Sequence, residues 1–339
     1  MQSDVDIEFI SRYASAAGRS TTSNRRTVVY ITRDSITYIM TKFHLKAAKY
    51  GKDKVRFLKV VRDPVDPKHQ DVVEMTVRVL LEGDIEKSYT EADNSVVVPT
   101  DTVKNTVNIL AKENPVTPPE LFAATLANHF PTKYPHIHGT SVSIIVHRWT
   151  RLSIDGAEHP HSFLRDGEEK RLVTCTYKRG EAFHITSGIS NLLVLKSTNS
   201  AFHGFHECDY TTLKPTNDRV FSTEVEATLT HQPYNTLAAI SIAAKSLEAY
   251  YQRARNTTLK IFAQDNSASV QATMYKMCED ILTHCPGVEE VAYALPNKHY
   301  VAVDLGAFGL DNSTPGKQEV FLPLADPSGL ITATVSRKP

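Results

Sequence analysis

Asp93-Asn94-Ser95-Val96-Val97-Val98-Pro99-Thr100-Asp101-Thr102-Val103-Lys104-Asn105-Thr106-Val107-Asn108-Ile109-Leu110 decides the architecture, because the stretch comes back 172 residues later. Without a gap, Asp265-Asn266-Ser267 falls on Asp93-Asn94-Ser95, Val270 on Val98, Lys276 on Lys104 and Ile281-Leu282 on Ile109-Leu110. Seven of eighteen positions agree where chance pairing gives about one, so the second half repeats a turn-into-helix element of the first.

The residues around the first copy define the repeating unit. Val55-Arg56-Phe57-Leu58-Lys59-Val60-Val61 and Val72-Val73-Glu74-Met75-Thr76-Val77-Arg78-Val79-Leu80-Leu81 are rich in β-formers and partly alternating, with Asp63-Pro64 and Asp66-Pro67 turning between them. They read as a hairpin. Thr100-Asp101 stands as an N-cap before Val103, Val107 and Leu110 at helical spacing, and Pro118-Pro119-Glu120 opens a second helix through His129. Strand-like text returns at 141–149, 172–177, 192–196 and 220–228, helices read over 237–262 and 268–284, and strands over 288–295 and 300–305 close the pattern. Strands then helices, twice over, make an α+β chain of two tandem antiparallel-sheet units with helices on one face, expected over 47–185 and 186–339. Such sheets leave open edges, and symmetric assembly into a closed barrel would pair them. Residues 1–46 read as an unstructured extension, since Ser20-Thr21-Thr22-Ser23 and Arg25-Arg26 sit in text without a hydrophobic period. Met40 offers an internal start within it.

Composition removes several function classes. The 339 residues carry 38 Lys plus Arg against 38 Asp plus Glu, so the basic field that draws nucleic acid or anionic membrane is missing. No window approaches the ~18–20 apolar residues of a spanning helix. Cys175, Cys208, Cys278 and Cys285 are too scattered for a disulfide framework or zinc knuckle, which favours a reducing compartment. His136 and His138, His159 and His161, and His203 and His206 have spacings a metal could use but lack a third ligand at recognisable distance, and Pro160 makes the middle pair read as a turn. G-x-G-x-x-G, G-x-x-x-x-G-K-[ST] and G-x-S-x-G are all missing, so dinucleotide, P-loop and α/β-hydrolase chemistry lose their usual signatures. Functional groups are better sought where loops meet elements, at Thr100-Asp101, Val270-Gln271 and Asn297-Lys298-His299.

The run Leu193-Val194-Leu195-Lys196-Ser197-Thr198-Asn199-Ser200-Ala201-Phe202-His203-Gly204-Phe205, continuing through Tyr210, Leu213 and Arg219, resembles the signature of the uricase (urate oxidase) family. Ser88-Tyr89-Thr90, Val98-Pro99-Thr100-Asp101-Thr102-Val103-Lys104-Asn105-Thr106, His161-Ser162-Phe163, the stretch 265–277 and Leu295-Pro296-Asn297-Lys298-His299-Tyr300 are similar to further motifs of that family. The resemblance spans 47–335 and is nearest the fungal and yeast members, with Lys49-Tyr50-Gly51-Lys52-Asp53 where family chains begin.

This resemblance implies the tunnelling fold, with subunits closing a barrel and stacking into a homotetramer whose active sites lie at subunit interfaces. It implies oxidation of urate by dioxygen to 5-hydroxyisourate and hydrogen peroxide, with neither metal nor organic cofactor. Carried over residue by residue, Arg219 holds the urate anion, Gln271 and the Val270 backbone read its amide edges, and Phe202 stacks on the ring. Asn297 positions oxygen above the ring, Asp101 contacts substrate through its backbone, and Lys52, Thr100 and His299 form the proton relay. An unperturbed lysine titrates near 10.4 and is a poor base at neutral pH, so Lys52 needs burial or a neighbouring cation to serve. Departures from the family lie at Leu229-Thr230-His231, where Trp-containing sequence is usual, and at His203 beside Phe202. The ending Ser336-Arg337-Lys338-Pro339 lacks the Ser-Lys-Leu type address that makes family members peroxisomal, leaving a cytoplasmic location as the other expectation. Two other readings stand: another tunnelling-fold enzyme acting on a purine or pterin, several of which hold zinc through Cys and His, and a folded but catalytically silent oligomer.

Overall fold

The computed structural model describes residues 27–32, 35–40 and 43–338. The chain divides into two units, Met1–Ala48 and Lys49–Pro339. In the first, β1 (Thr27–Thr32) and β2 (Ser35–Met40) form an antiparallel hairpin inside the segment expected to be unstructured, while residues 1–26 lie outside the described residues.

The second unit opens with β3 (Tyr50–Arg62) and β4 (Gln70–Gly83), continues through the short α1 (Glu86–Thr90), α2 (Thr100–Glu113) and α3 (Pro119–Lys133), and returns to the sheet with β5 (Ile137–His147). A small hairpin, β6 (Thr150–Ile154) and β7 (Ala157–Leu164), precedes β8 (Lys170–Lys178). Then come β9 (His184–Lys196), β10 (Phe221–His231), α4 (Leu237–Gln264), α5 (Val270–His284), β11 (Val288–Ala302) and β12 (Phe321–Ser336). Eight strands form one antiparallel sheet in the order β12-β11-β10-β9-β8-β5-β4-β3, with β3 and β12 as its open edges. The main elements repeat strand, strand, helix, helix, strand, strand, and the β8–β9 pairing fuses both repeats into one sheet. The expected 185/186 division falls within the first residues of β9.

Period-2 alternation puts each strand's apolar set on one face. Met75, Val77, Val79 and Leu81 of β4 are fully buried, while Arg78 between them is exposed. In the second half, Val291, Tyr293 and Leu295 of β11 share a core with Phe262 of α4 and Met274, Met277, Cys278 and Ile281 of α5. Phe122, Leu126 and Phe130 of α3 are likewise fully buried, each contributing roughly 1.5–3 kcal/mol.

Three local expectations need correction. Thr100 is the first residue of α2 rather than its cap; Pro99 occupies that position, and no side chain caps the helix. True side-chain caps stand on the second pair, where Thr236 accepts from the Ala239 N–H and Ser269 from the Ala272 N–H, each at 3.1 Å. The two strands expected over 288–295 and 300–305 are one, β11, because the β10 ladder lapses beside Pro296 and β12 pairs along its length. His159-Pro160-His161 lies in β7 rather than in a turn, and its ladder with β6 is interrupted there, so the missing Pro160 N–H is not needed.

Candidate active site

Between Lys196, the end of β9, and Phe221, the start of β10, the chain leaves the sheet over residues 197–220 and returns to a paired register. Phe202 and Thr216 exchange two backbone hydrogen bonds inside this excursion, at 2.8 and 2.9 Å. They hold Phe202 near Arg219, whose guanidinium carbon lies 5.2 Å from the ring centre, and Phe205 stacks on the same ring at 5.1 Å. The Ala201 N–H donates to the Ser267 carbonyl at 2.8 Å and the Ser267 N–H to the Asn199 carbonyl at 3.0 Å, which docks the excursion on the start of α5. Val270 and Gln271 are the first two residues of that helix, so their backbone N–H groups have no intrahelical acceptor. Val270 buries its side chain, and Gln271 is exposed. Asn297 of β11 pairs with Thr223 of β10, placing it on the same face as Leu295 and Tyr293, and His299 follows two residues on. Phe202, Arg219, Val270, Gln271, Asn297 and His299 thus gather at one end of the second half.

Arg219 is half-buried, its Nε is buried without a partner, and no hydrogen bond or ion pair to it occurs among the described residues. Burial draws its pKa below the ordinary arginine value. A half-buried guanidinium without a carboxylate beside it keeps its charge at a cost that a bound anion would offset.

The other predicted residues lie far off. Lys52 belongs to β3 and Thr100 and Asp101 to the first turn of α2; the Val98 N–H donates to the Tyr50 hydroxyl at 2.7 Å and ties that turn to the strand. β3 presses against β4 at Gly51, where a Cβ would lie 1.9 Å from the Val79 carbonyl oxygen. A bulge follows, with Lys54 in left-handed backbone at φ 57°. Lys52 therefore opposes Val79 and Val55 opposes Val77, so both face the side where Val77 and Val79 meet the helices. Lys104 bonds the Asp101 carboxylate and holds it below the usual range, with a smaller contribution from Lys52. Asn105 binds its second oxygen at 3.0 Å.

One chain does not bring the two groups together. From β3 to β10 is five strand spacings and to β11 six, which is about 24–29 Å along the sheet. Even the expected relay is divided, with Lys52 and Thr100 on one side and His299 on the other. A separate cavity of about 760 Å³, lined by Arg148, Trp149, Arg171, Tyr251 and Arg255 among others, contains none of the predicted site residues. Its arginines are committed to Asp166, Glu169, Glu120 and Glu248. Among the described residues no three His, Cys, Asp or Glu side chains group as metal ligands. Sequence reading overlooked Tyr50 and Asp218, which brace the two groups; the turn-forming Ser197-Thr198-Asn199 was the available signal for the latter.

The family model described as Uricase matches residues 48–176 and 185–332, the gap falling at the β8–β9 turn. The uricase of Aspergillus flavus is 55% identical over 294 residues, covering 86% of this chain and 97% of that protein. The uricase of Cyberlindnera jadinii is 49% identical, covering 87% and 97%. The crystal structure of the uricase from Arthrobacter globiformis superposes with a TM-score of 0.77 at 36% identity, covering 88% of this chain and 96% of that one. Both halves of the sheet, the excursion that carries Phe202 and Arg219 and the helix start that carries Gln271 fall inside these matches, and the chain belongs to the uricase family.

Proposed function

We propose that this chain is a urate oxidase, converting urate, dioxygen and water to 5-hydroxyisourate and hydrogen peroxide. The observation that carries this reading is Arg219, half-buried and unpaired beside the face of Phe202. A cation in that setting selects an anion, and the flat ring beside it selects a planar one. Urate is a planar anion with amide-like edges. Arg219 takes one edge through a charge-assisted pair of roughly 1.5–3 kcal/mol, and stacking on Phe202 adds about 0.5–1.5 kcal/mol. Gln271 and the Val270 N–H read the remaining donors and acceptors.

Urate gives up two electrons; dioxygen takes them with two protons and leaves as hydrogen peroxide, while the hydroxyl from water ends on the ring. Asn297 holds the oxygen species above the ring, and Thr100, Lys52 and His299 move the protons. Urate is itself the electron donor, so these roles ask for no resident metal or organic cofactor. The separation of Lys52, Thr100 and Asp101 from Arg219 supports a site completed by a second copy, within the homotetramer that the family resemblance implies.

The test is loss of urate absorbance in an air-saturated, exhaustively chelated sample, with peroxide measured alongside. One peroxide per urate consumed is expected. A requirement for stoichiometric zinc or copper would move the chain to another purine or pterin chemistry, and an inert sample would make it a silent oligomer.

A further inference from the structure

We infer that Asp218 is a positioning residue for the urate clamp, joining the three chain segments that carry Arg219, Phe202 and Gln271. Its carboxylate accepts the Thr198 hydroxyl at 2.7 Å and the Asn199 N–H at 2.9 Å, and its own carbonyl accepts the Thr216 hydroxyl at 2.6 Å. Asp218 precedes Arg219 directly, so fixing its backbone fixes the root of the arginine. Thr216, bonded to the carbonyl of Asp218, is also the residue that exchanges two backbone bonds with Phe202. Asn199 is the residue whose carbonyl holds Ser267, two positions before the Ser269 cap of α5 and so close to Val270 and Gln271.

The carboxylate bonds span nineteen and twenty residues, so they are tertiary ties rather than a turn closing on itself. Among the described residues Asp218 forms no ion pair, and it is exposed, so it does not serve as a buried counter-ion. Asn199 sits in left-handed backbone at φ 65°, which asparagine tolerates better than most residues, and its N–H is held there by Asp218. Among the described residues Arg219 has no hydrogen-bond or ion-pair partner to aim it, and its guanidinium lies against the Phe202 ring. Its direction is therefore set through the backbone that Asp218 anchors. A clamp held from outside spends none of its guanidinium N–H groups on a protein acceptor among the described residues.

This inference rests on the reading of Arg219 as the urate clamp, and the experiment separates the two. Urate is titrated without oxygen, so that binding is measured apart from chemistry, into the full-length protein and into Asp218→Ala, Asp218→Asn, Thr198→Val, Arg219→Ala and the Asp218→Ala/Arg219→Ala pair. Asp218→Ala should weaken urate at least about fivefold, Thr198→Val less, and Asp218→Asn, which keeps an oxygen for Asn199, should recover most of the loss. In the Arg219→Ala background the same Asp218→Ala change should cost less than about twofold, because the group it aims is gone. Sedimentation of each variant checks assembly, and Thr198→Val breaks the same tie from the other side if Asp218→Ala fails to assemble. Equal weakening in both backgrounds, or none in the Arg219 protein, overturns the positioning role while leaving the clamp intact. Unchanged binding by Arg219→Ala overturns the clamp, and this inference with it.

Discussion

His231, 2% exposed on β10, has two ring nitrogens with different fates. Ser187 gives its one hydroxyl proton to Glu120 at 2.6 Å, so the His231 Nε2, 2.7 Å from the same oxygen, must be the donor of that contact. The other nitrogen, Nδ1, is buried with no hydrogen-bond partner among the described residues. Protonating it would create an unsatisfied N–H in the core. The charged groups facing this histidine are Glu120, fully buried and gripped at 2.8 and 3.0 Å by Arg171, and Arg171 itself, which also binds Glu248 and covers the Tyr251 ring; Tyr250 stacks nearby. Burial, then Arg171, push the His231 pKa down to about 4. A histidine whose folded pKa is depressed is neutral in both states above the unfolded value near 6.5, so its full contribution is present there and is lost as pH falls toward 4. The shift corresponds to a loss of about 3 kcal/mol over that window. Unfolding in urea at pH 7 and pH 4.5 should show this excess acid loss in the native chain and a smaller one in His231→Phe. Equal losses would assign the acid sensitivity to other groups.

Among the elements, the start of β3 is where a single backbone residue decides which way Lys52, the lysine of the proposed proton relay, faces. Deleting Lys54 removes the bulge, and everything before it changes face: Tyr50 loses the Val98 N–H, and Lys52 turns away from α2. Urate turnover should fall by about 10²–10⁴-fold, the range for losing a positioned acid or base, while the thermal midpoint drops only modestly. Lys54→Gly keeps the extra residue and removes a left-handed side chain, so its stability should hold or rise by about 1 kcal/mol with turnover intact. Turnover surviving the deletion would mean that Lys52 needs no particular face. None of this was legible beforehand, since a bulge has no alternating signature. What could be read was what has a period: the β3–β4 hairpin, α2, α3, α4, α5 and the repeat joining them. β12 escaped because Pro323 and Pro327 break its text, yet as an edge strand it needs hydrogen bonds on one side only. The junctions at Thr100, Gln271 and Asn297 were legible as places where loops meet elements, and the roles proposed for them come from the family resemblance alone. The ties supplied by Tyr50 and Asp218 were not, because hydrogen bonds spanning 48 and 20 residues leave no local pattern.

At the scale of the whole molecule, the open sheet makes a complementation test possible. Lys52→Met and Arg219→Ala chains, each nearly inactive alone, should regain activity when refolded together in equal amounts. If each site takes Lys52 from one copy and Arg219 from the other, random pairing leaves roughly a quarter of the sites intact. Mixed oligomers, verified by mass, that stay as inactive as either parent would mean that each chain holds a complete site. The tandem plan also carries an asymmetry. β3 and β4 are joined by the tight connection 63–69, whereas their counterparts β9 and β10 are joined by the long excursion 197–220. Lys104 and Lys276 fall on equivalent positions of the repeat, yet one bonds Asp101 within its own helix and the other bonds Asp265 ahead of it. Backbone kinship has been kept while chemical kinship has been lost. In the terms of a duplicated ancestor, on the proposed roles, one daughter lengthened a loop into a clasp for the purine and the other kept the short turn and turned its helix start to proton traffic. On those roles neither daughter would hold a complete site within one copy of the chain.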